Sequence, residues 1–239
     1  MSHLFDLEPE FLELYAACAG QTMTSIERMY ALYKATRYVI DARVPGDLVE
    51  CGVWRGGSAM LMAATLLRFG TSNSVIWLYD TFDGMTPPST EDVQETSGRP
   101  ASEILAEHER SLDDPFWGVA PRAHVEDNLR RTGYPMERLR FVEGNVLTTI
   151  PSAAPECIAL LRLDTDWYES TRHELIHLYP KVPVGGVLNL VFRRRHTIHR
   201  APKNLVTPAK AGETTTAALV RLQSDTGSRQ GTEKSWNGK

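Results

Sequence analysis

The sequence predicts an α/β fold in which a parallel, Rossmann-like sheet is covered by helices. From residue 47 onward, strand-like and helix-like runs alternate, which is the pattern of parallel strands joined by helical crossovers. The strand-like runs are mostly apolar, as expected of strands that are buried on both faces. A corner that contains glycines, Glu50 to Gly57, joins the first strand to a helix, and sheets of this kind bind nucleosides at such corners.

Two helices are predicted before the sheet. The first covers residues 9–19. The second covers residues 24–43, where Ile26 and Met29 begin an apolar face at helical spacing. The Pro45-Gly46 pair then breaks the chain before the first strand.

The remaining elements follow the alternating pattern. Strands are predicted at 47–53, 75–80, 139–145, 157–164 and 185–192, and helices near 57–69, 101–111, 122–132 and 168–179. The segment between Gly84 and Arg122 contains prolines and is longer than an ordinary connection, which indicates a lid or a binding loop.

Composition limits the class of protein. The 239 residues suit one domain, 42 % are hydrophobic, and a net charge of −4 excludes a general nucleic-acid footprint. No run of about 18 apolar residues predicts a membrane span, and the first residues do not resemble a signal peptide. Cys18, Cys51 and Cys157 are odd in number and scattered, which predicts buried thiols in a reducing cytoplasm.

The composition changes near the end of the fifth strand. From Asn189 to Gly212 there are six basic residues and no acidic one. The run Arg193-Arg194-Arg195 is more typical of a solvated segment than of a phosphate or nucleic-acid patch. We expect one weak helix over 213–223 in an otherwise poorly ordered tail. The predicted division is an N-terminal helical segment (1–46), a Rossmann-like domain (47–192) and this tail (193–239).

The corner after the first strand predicts a nucleoside site. Its pattern E-x-G-x-x-x-G places glycines at 52 and 56, where positive φ and close approach of a ligand are possible. The following helix offers free N–H groups at its N-terminus. This spacing differs from that of dinucleotide binders and favours S-adenosylmethionine. A tight βα turn without a ligand is the alternative.

Asp80 ends the second predicted strand. An acidic residue at this position can accept both ribose hydroxyls of a nucleoside. The alternative is a turn residue, because Asp80-Thr81-Phe82-Asp83-Gly84 also resembles a turn.

Asp164 and Asp166 follow the fourth predicted strand. Residues i and i+2 of an extended segment face one side, so both carboxylates can bind a hard cation such as Mg²⁺. Asp166 also forms a capping-box pattern with Glu169 at the start of the next helix. We therefore favour a functional role for Asp164 and a structural one for Asp166.

His173-Glu174-Leu175-Ile176-His177 matches the H-E-x-x-H signature of zinc proteases. Pro180 follows closely and no third ligand is apparent, so the ordinary face of a crossover helix is the favoured interpretation. A zinc hydrolase built on His173 and His177 is a weak functional alternative, and a dinucleotide oxidoreductase is weaker still, because the glycine spacing of its fingerprint is not met.

Four segments together resemble the macrocin O-methyltransferase family, which methylates sugar hydroxyls in macrolide and related natural-product pathways. The resemblance spans roughly residues 20–188. The segments are Thr22–Tyr30, Val49–Ser58, Tyr79–Met85 and Leu161–Thr171. It implies a Rossmann-like class I methyltransferase fold, S-adenosylmethionine as methyl donor, Mg²⁺ as activating metal and a small-molecule acceptor. The N-terminal helices exceed what such a sheet needs, which is compatible with packing across a homo-oligomer.

The resemblance also implies roles for individual residues. Val53 to Gly57 line the methionine portion of the cofactor, Asp80 binds the ribose, and Gly144-Asn145 lie on the adenine side. Asp164 is a metal ligand, with support from Asp166, and acts near the acceptor hydroxyl. The full expected cofactor set is Glu50, Gly52, Val53, Trp54, Arg55, Gly56, Gly57, Asp80, Gly144 and Asn145.

The chain departs from the family after Gly185-Gly186-Val187-Leu188. The family continues with hydrophobic residues and an Asp-Asp pair that completes the metal site, but this chain has Val191 and Phe192 there. Divergence, an altered reading frame or an inactive relative would each explain the difference. The expected function is metal-assisted O-methylation of a sugar or natural product, with a catalytically impaired cofactor-binding relative as the alternative.

Overall fold

The computed structural model describes residues 7–70, 73–94 and 97–191, together with one strand at 217–221. Its strands are β1 (Asp47–Cys51), β2 (Ile76–Asp80), β3 (Leu139–Glu143), β4 (Ile158–Leu163), β5 (Val187–Val191) and β6 (Ala217–Arg221). They form one sheet in the order β3-β2-β1-β4-β5-β6. The first five are parallel, which confirms the predicted fold class. The order reverses direction at β1, between its neighbours β2 and β4, and ligands bind at such switch points.

The helices agree with the predicted order, and all the predicted ones except that at 57–69 are shorter than predicted. They are α1 (Pro9–Cys18), α2 (Ile26–Asp41), α3 (Gly57–Phe69), α4 (Ala101–Ala106), α5 (Arg122–Arg130), α6 (Val146–Thr149) and α7 (Tyr168–His177). Helix α4 ends at Ala106, not at 111, because the polar run that follows offers no apolar face to bury. The short α6 was not predicted; Asn145 caps it by accepting a hydrogen bond from Leu147 N at 2.9 Å.

Two hydrophobic clusters cover the faces of the sheet. On one face, residues of α1, α2, α3 and α5 pack against Leu48, Ile76 and Leu160. The Phe11 ring of α1 lies 5.0 Å from the Tyr30 ring of α2, centroid to centroid, within this cluster. The second cluster packs Leu178 and its neighbours against the opposite face. The two N-terminal helices therefore share one core with the sheet.

Strand β6 corrects the expectation of a helix over 213–223. It pairs antiparallel with β5, with Val187 opposite Arg221 and Val191 opposite Ala217. Strand β5 is buried along its whole length, so its outer backbone groups need hydrogen-bond partners that an extended segment supplies and a helix does not. The basic run and the rest of the predicted tail lie outside the described residues.

The three cysteines form no disulfide. Cys18 and Cys51 are buried, but Cys157, for which burial was also predicted, is half-exposed, because it lies at the amino-terminal end of β4, where its thiol donates to Pro45 O at 3.3 Å. Within the described part of the chain, no helix combines the length and apolarity needed to cross a bilayer.

Candidate active site

A cavity of about 770 Å³ opens at the carboxyl ends of the central strands. Gly52, Asp80, Gly144 and Asp164 line it, and each follows or ends one of the four adjacent strands β1 to β4. The segment 84–118 closes the opposite side with the apolar residues Met85, Ala101, Ile104, Leu105, Pro115 and Phe116. The sheet thus supplies a polar floor and the long segment an apolar wall.

The corner after β1 has the backbone that its glycines predict. Gly52 has φ +83°, and a Cβ there would lie 2.5 Å from the carbonyl oxygen of Asp164. The ends of β1 and β4 therefore approach to a distance that only glycine permits. Gly56, with φ +86°, precedes the first residue of α3. Trp54, between them, also has positive φ, and its side chain borders the cavity.

Asp80 holds this corner in place. Its Oδ2 accepts hydrogen bonds from Val53 N at 2.7 Å and Trp54 N at 3.0 Å, and its Oδ1 accepts one from Phe82 N at 2.9 Å. Burial raises the pKa of Asp80, and the three N–H donors oppose that rise. The residue lines the cavity as expected, but much of its acceptor capacity serves the protein. Its contact with a ribose stays a prediction.

The predicted cofactor residues do not all face the cavity. Gly52, Trp54, Asp80, Gly144 and Asn145 line it, whereas the others are not among its lining residues. Those others are Glu50, Val53, Arg55, Gly56 and Gly57.

Arg55 and Gly57 of that second group contact segments outside the corner. Arg55 donates from Nη2 to Leu112 O at 3.1 Å, which joins the corner to the segment 84–118. Gly57 packs against the N-terminal segment, because a Cβ there would lie 2.5 Å from Gln21 O. Both therefore support the corner from outside the cavity.

Glu50 is placed inside the sheet, which corrects the expectation that it reaches a ligand. It is 1 % exposed, and its Oε1 accepts a hydrogen bond from Arg162 Nε at 2.9 Å. Successive strand residues face opposite sides, so the side chain of a residue within β1 points to a helix layer and away from the strand end. Burial raises the pKa of Glu50 to about 7, although the Arg162 guanidinium opposes this rise.

Arg162 is a buried residue next to the cavity carboxylate Asp164 that the sequence argument missed. It is 1 % exposed, and its Nη2 donates to Asp164 Oδ2 at 2.6 Å and to Thr24 Oγ1 at 3.3 Å. Its Nη1 donates to Asn189 Oδ1 at 3.1 Å. The available signal was an arginine inside the otherwise apolar run Ile158 to Leu163, since a buried charge requires partners.

The capping-box interpretation of Asp166 is wrong. Helix α7 begins at Tyr168, and the preceding residue, Trp167, makes no side-chain capping bond. Tyr168 N instead donates to Asp92 Oδ1 at 2.8 Å, from the segment 84–118. Asp166 lines the cavity together with Asp164 and is the less buried of the two.

The H-E-x-x-H motif does not form a metal site. His173 Nε2 lies 2.9 Å from Ile150 O, so this nitrogen carries a hydrogen and cannot bind a metal. Glu174 is fully buried and accepts a hydrogen bond from Thr165 Oγ1 at 2.9 Å. Across residues 7–70, 73–94 and 97–191, no group of three or more His, Cys, Asp or Glu residues is arranged to hold a metal ion.

The fold and the corner define the class of protein, a nucleoside-binding sheet of the class I methyltransferase type. The macrocin-O-methyltransferase (TylF) family matches residues 15–192. The chain belongs to this family.

Curated relatives carry related names. The chain is 37 % identical over 167 residues to demethyldecarbamoylnovobiocin O-methyltransferase of Streptomyces niveus, covering 70 % of this chain and 60 % of that protein. It is 32 % identical to mycinamicin III 3''-O-methyltransferase of Micromonospora griseorubida, covering 70 % of this chain and 63 % of that protein. The chain thus spans about three fifths of the length of these relatives.

Solved structures agree on the fold. The O-methyltransferase NovP is 34 % identical with a TM-score of 0.59, covering 71 % of this chain and 66 % of that one. The calicheamicin methyltransferase CalS11 is 20 % identical with a TM-score of 0.52, covering 77 % and 79 %. The CalS11 comparison supports the fold alone.

Replacing Gly52 by Ala tests the corner. We expect a loss of about 1–3 kcal/mol in the free energy of unfolding, because a Cβ meets Asp164 O in a backbone conformation that strains other residues. Chemical denaturation measures it. Gly20→Ala is the matched control, since a Cβ there meets no atom within 4 Å. Equal stability of the two variants would contradict the described corner.

Burial raises the pKa of Glu174 to about 8 from an ordinary 4.5. Between these values the folded protein keeps a proton that the unfolded chain releases, so stability falls as the pH rises. In Glu174→Gln we expect the fall in Tm between about pH 5 and about pH 8 to shrink, because the amide does not titrate in this range.

Thermal unfolding at several pH values measures this effect. The exposed Glu169→Gln, on the same helix, is the control and should keep the wild-type slope. The same slope in Glu174→Gln and in the wild type would show that Glu174 is ionised in the folded protein.

Proposed function

We propose that this chain is an S-adenosylmethionine-dependent O-methyltransferase that acts on a hydroxyl group of a sugar or natural product. Family membership and the names of the relatives support this proposal. The observation that carries it is the shared cavity: the corner held by Asp80 and the carboxylates of Asp164 and Asp166 border the same space.

The residues of the corner suit the cofactor. Bound S-adenosylmethionine supplies a methyl group activated by a sulfonium. Gly52 and Trp54 would hold the methionine portion, Asp80 the ribose, and Gly144 and Asn145 the adenine side. Gly52 keeps the corner free of a side chain where β1 and β4 meet, and Asp80 fixes the local backbone, so the cradle is formed in advance.

We assign different roles at the acceptor to Asp164 and Asp166. Asp164 already gives one oxygen to Arg162, which fixes its orientation at the end of β4. Asp166 is less buried, so we place it next to the acceptor hydroxyl, where it would accept the proton that the hydroxyl loses when the methyl group passes from sulfur to oxygen. The apolar wall excludes water and orients the acceptor.

The described residues do not fit Mg²⁺, although the resemblance implies it. Mg²⁺ requires a near-octahedral set of oxygen ligands. Asp164 and Asp166 supply two carboxylates, and Arg162 takes an oxygen of the first at 2.6 Å. The end of β5, where the family has aspartates, is the buried apolar Val191. The proposed mechanism therefore includes no step that depends on a metal ion.

The same strand end supports a second candidate function. If catalysis in this family depends on the carboxylates that Val191 replaces, the chain binds cofactor without turnover. Binding without methyl transfer by the wild type, together with activity gained by a variant with Asp at 191 and 192, would favour this reading.

The proposed function predicts methyl transfer by the full chain. With methyl-labelled S-adenosylmethionine and a panel of glycosides, we expect label in the product and a rate that a chelator does not change. Asp166→Asn should lower kcat by about 10²-fold or more, because the proton acceptor is lost. Glu169→Gln, exposed on α7, is the matched control.

Two outcomes would contradict these claims separately. No labelled product from any acceptor, with cofactor bound, would reject turnover. Turnover that the chelator abolishes and Mg²⁺ restores would reject the metal-independent mechanism.

A further inference from the structure

Asp92 is a buried acid in the segment 84–118, and all its hydrogen bonds come from inside the protein. It is 1 % exposed. Its Oδ2 accepts from Ser89 N at 2.7 Å and from Ser89 Oγ at 2.9 Å, and its Oδ1 accepts from Tyr168 N at 2.8 Å. A carboxylate in this environment is stable because several donors replace its water shell. The Tyr168 contact is unusual, since it crosses 76 residues of sequence.

The contact caps helix α7 from another segment. Tyr168 is the first residue of the helix, and an N–H at this position has no partner within the helix. An acidic group there also interacts favourably with the helix dipole. The preceding residue, Trp167, cannot cap with its indole, which instead donates from Nε1 to Thr86 O at 2.8 Å. Two tethers therefore bind the segment 84–118 to the start of α7.

The two residues joined by the Asp92–Tyr168 hydrogen bond lie next to different parts of the cavity. On one side, Asp164 and Asp166 lie just before Tyr168 in the chain and line the floor. On the other, Asp92 O accepts from Ala101 N at 2.9 Å, which holds the start of α4.

The apolar wall also packs against the loop that carries Asp164 and Asp166. Ala101 and Leu105 form a small hydrophobic cluster with Trp167, and Met85 packs against it. A shift of Asp92 would therefore move the wall and the carboxylates relative to each other.

We propose that Asp92 is a positioning residue that joins the acceptor wall to the loop of Asp164 and Asp166, so that the acceptor is held in register with these carboxylates. This inference rests on the proposed function. It assigns Asp92 no contact with either substrate. The corner that would hold the cofactor is fixed by hydrogen bonds from Val53 N and Trp54 N to Asp80, so the main effect of a change at Asp92 should fall on the acceptor.

The test compares Asp92→Ala, Asp92→Asn and the exposed neighbour Glu91→Gln as control. In the full chain, we expect Asp92→Ala to lower kcat/KM for the acceptor roughly 10- to 100-fold, with both a higher acceptor KM and a lower kcat. The dissociation constant of S-adenosylmethionine should change less than about twofold, which is small compared with the expected change in the acceptor kinetics. Asp92→Asn keeps one oxygen for Tyr168 N and should recover part of the loss.

Two kinetic results would overturn the proposal. One is acceptor kinetics in Asp92→Ala equal to those of Glu91→Gln. The other is a loss of acceptor turnover matched by an equal loss of cofactor affinity, which would indicate general damage to the fold.

A second readout separates this proposal from the proposed function. If the wild type transfers no methyl group, trypsin cleavage after the exposed Arg110, which Ser111 follows, still reports whether the segment is held. Several-fold faster cleavage after Arg110 in Asp92→Ala than in Glu91→Gln would support the positioning role even then. Equal cleavage rates would reject it.

Discussion

A single buried guanidinium organises the strand ends on which the cavity is built. Arg162 of β4 donates to Glu50 of β1, to Asn189 of β5 and to Thr24 before α2, and it also holds Asp164. Without these acceptors the charge could not be buried, and without the charge two carboxylates would lie close together in the interior. Removing one member of such a pair costs about 3–5 kcal/mol in other proteins. The geometry of Asp164 therefore depends on three elements besides its own strand.

A second carboxylate, that of Asp80, gives the corner its shape from the neighbouring strand. Arg162 and Asp80 act on opposite sides of β1, and the cavity opens between the strand ends that they fix. The segment 84–118 completes the space from outside the sheet, and its attachment runs through Asp92 and Arg55. The cavity thus has a floor fixed by buried charges and a wall fixed by hydrogen bonds to loops. This division suits a protein that keeps one ligand site constant while the wall adapts to different acceptors.

The structural features that were predictable from the sequence are those that depend on local patterns. Apolar runs predicted the five parallel strands, and the glycines at 52 and 56 predicted the corner, because both features depend on residues adjacent in the chain. Strand β6 was not predictable, since its conformation is set by the open edge of β5. The capping of α7 by Asp92 was also missed, because a local capping pattern at Asp166 competes with a partner 76 residues away. The predicted ligand contact of Glu50 was wrong for a similar reason, because its partner, Arg162, lies on another strand.

The central claim is that the corner behind β1 binds S-adenosylmethionine. Isothermal titration calorimetry of the full chain with this cofactor tests the claim without an acceptor. We predict saturable binding of one cofactor per chain, with a dissociation constant between about 1 μM and 1 mM, the usual range for enzyme substrates. No binding heat at near-millimolar protein and cofactor, at more than one temperature, would contradict the account.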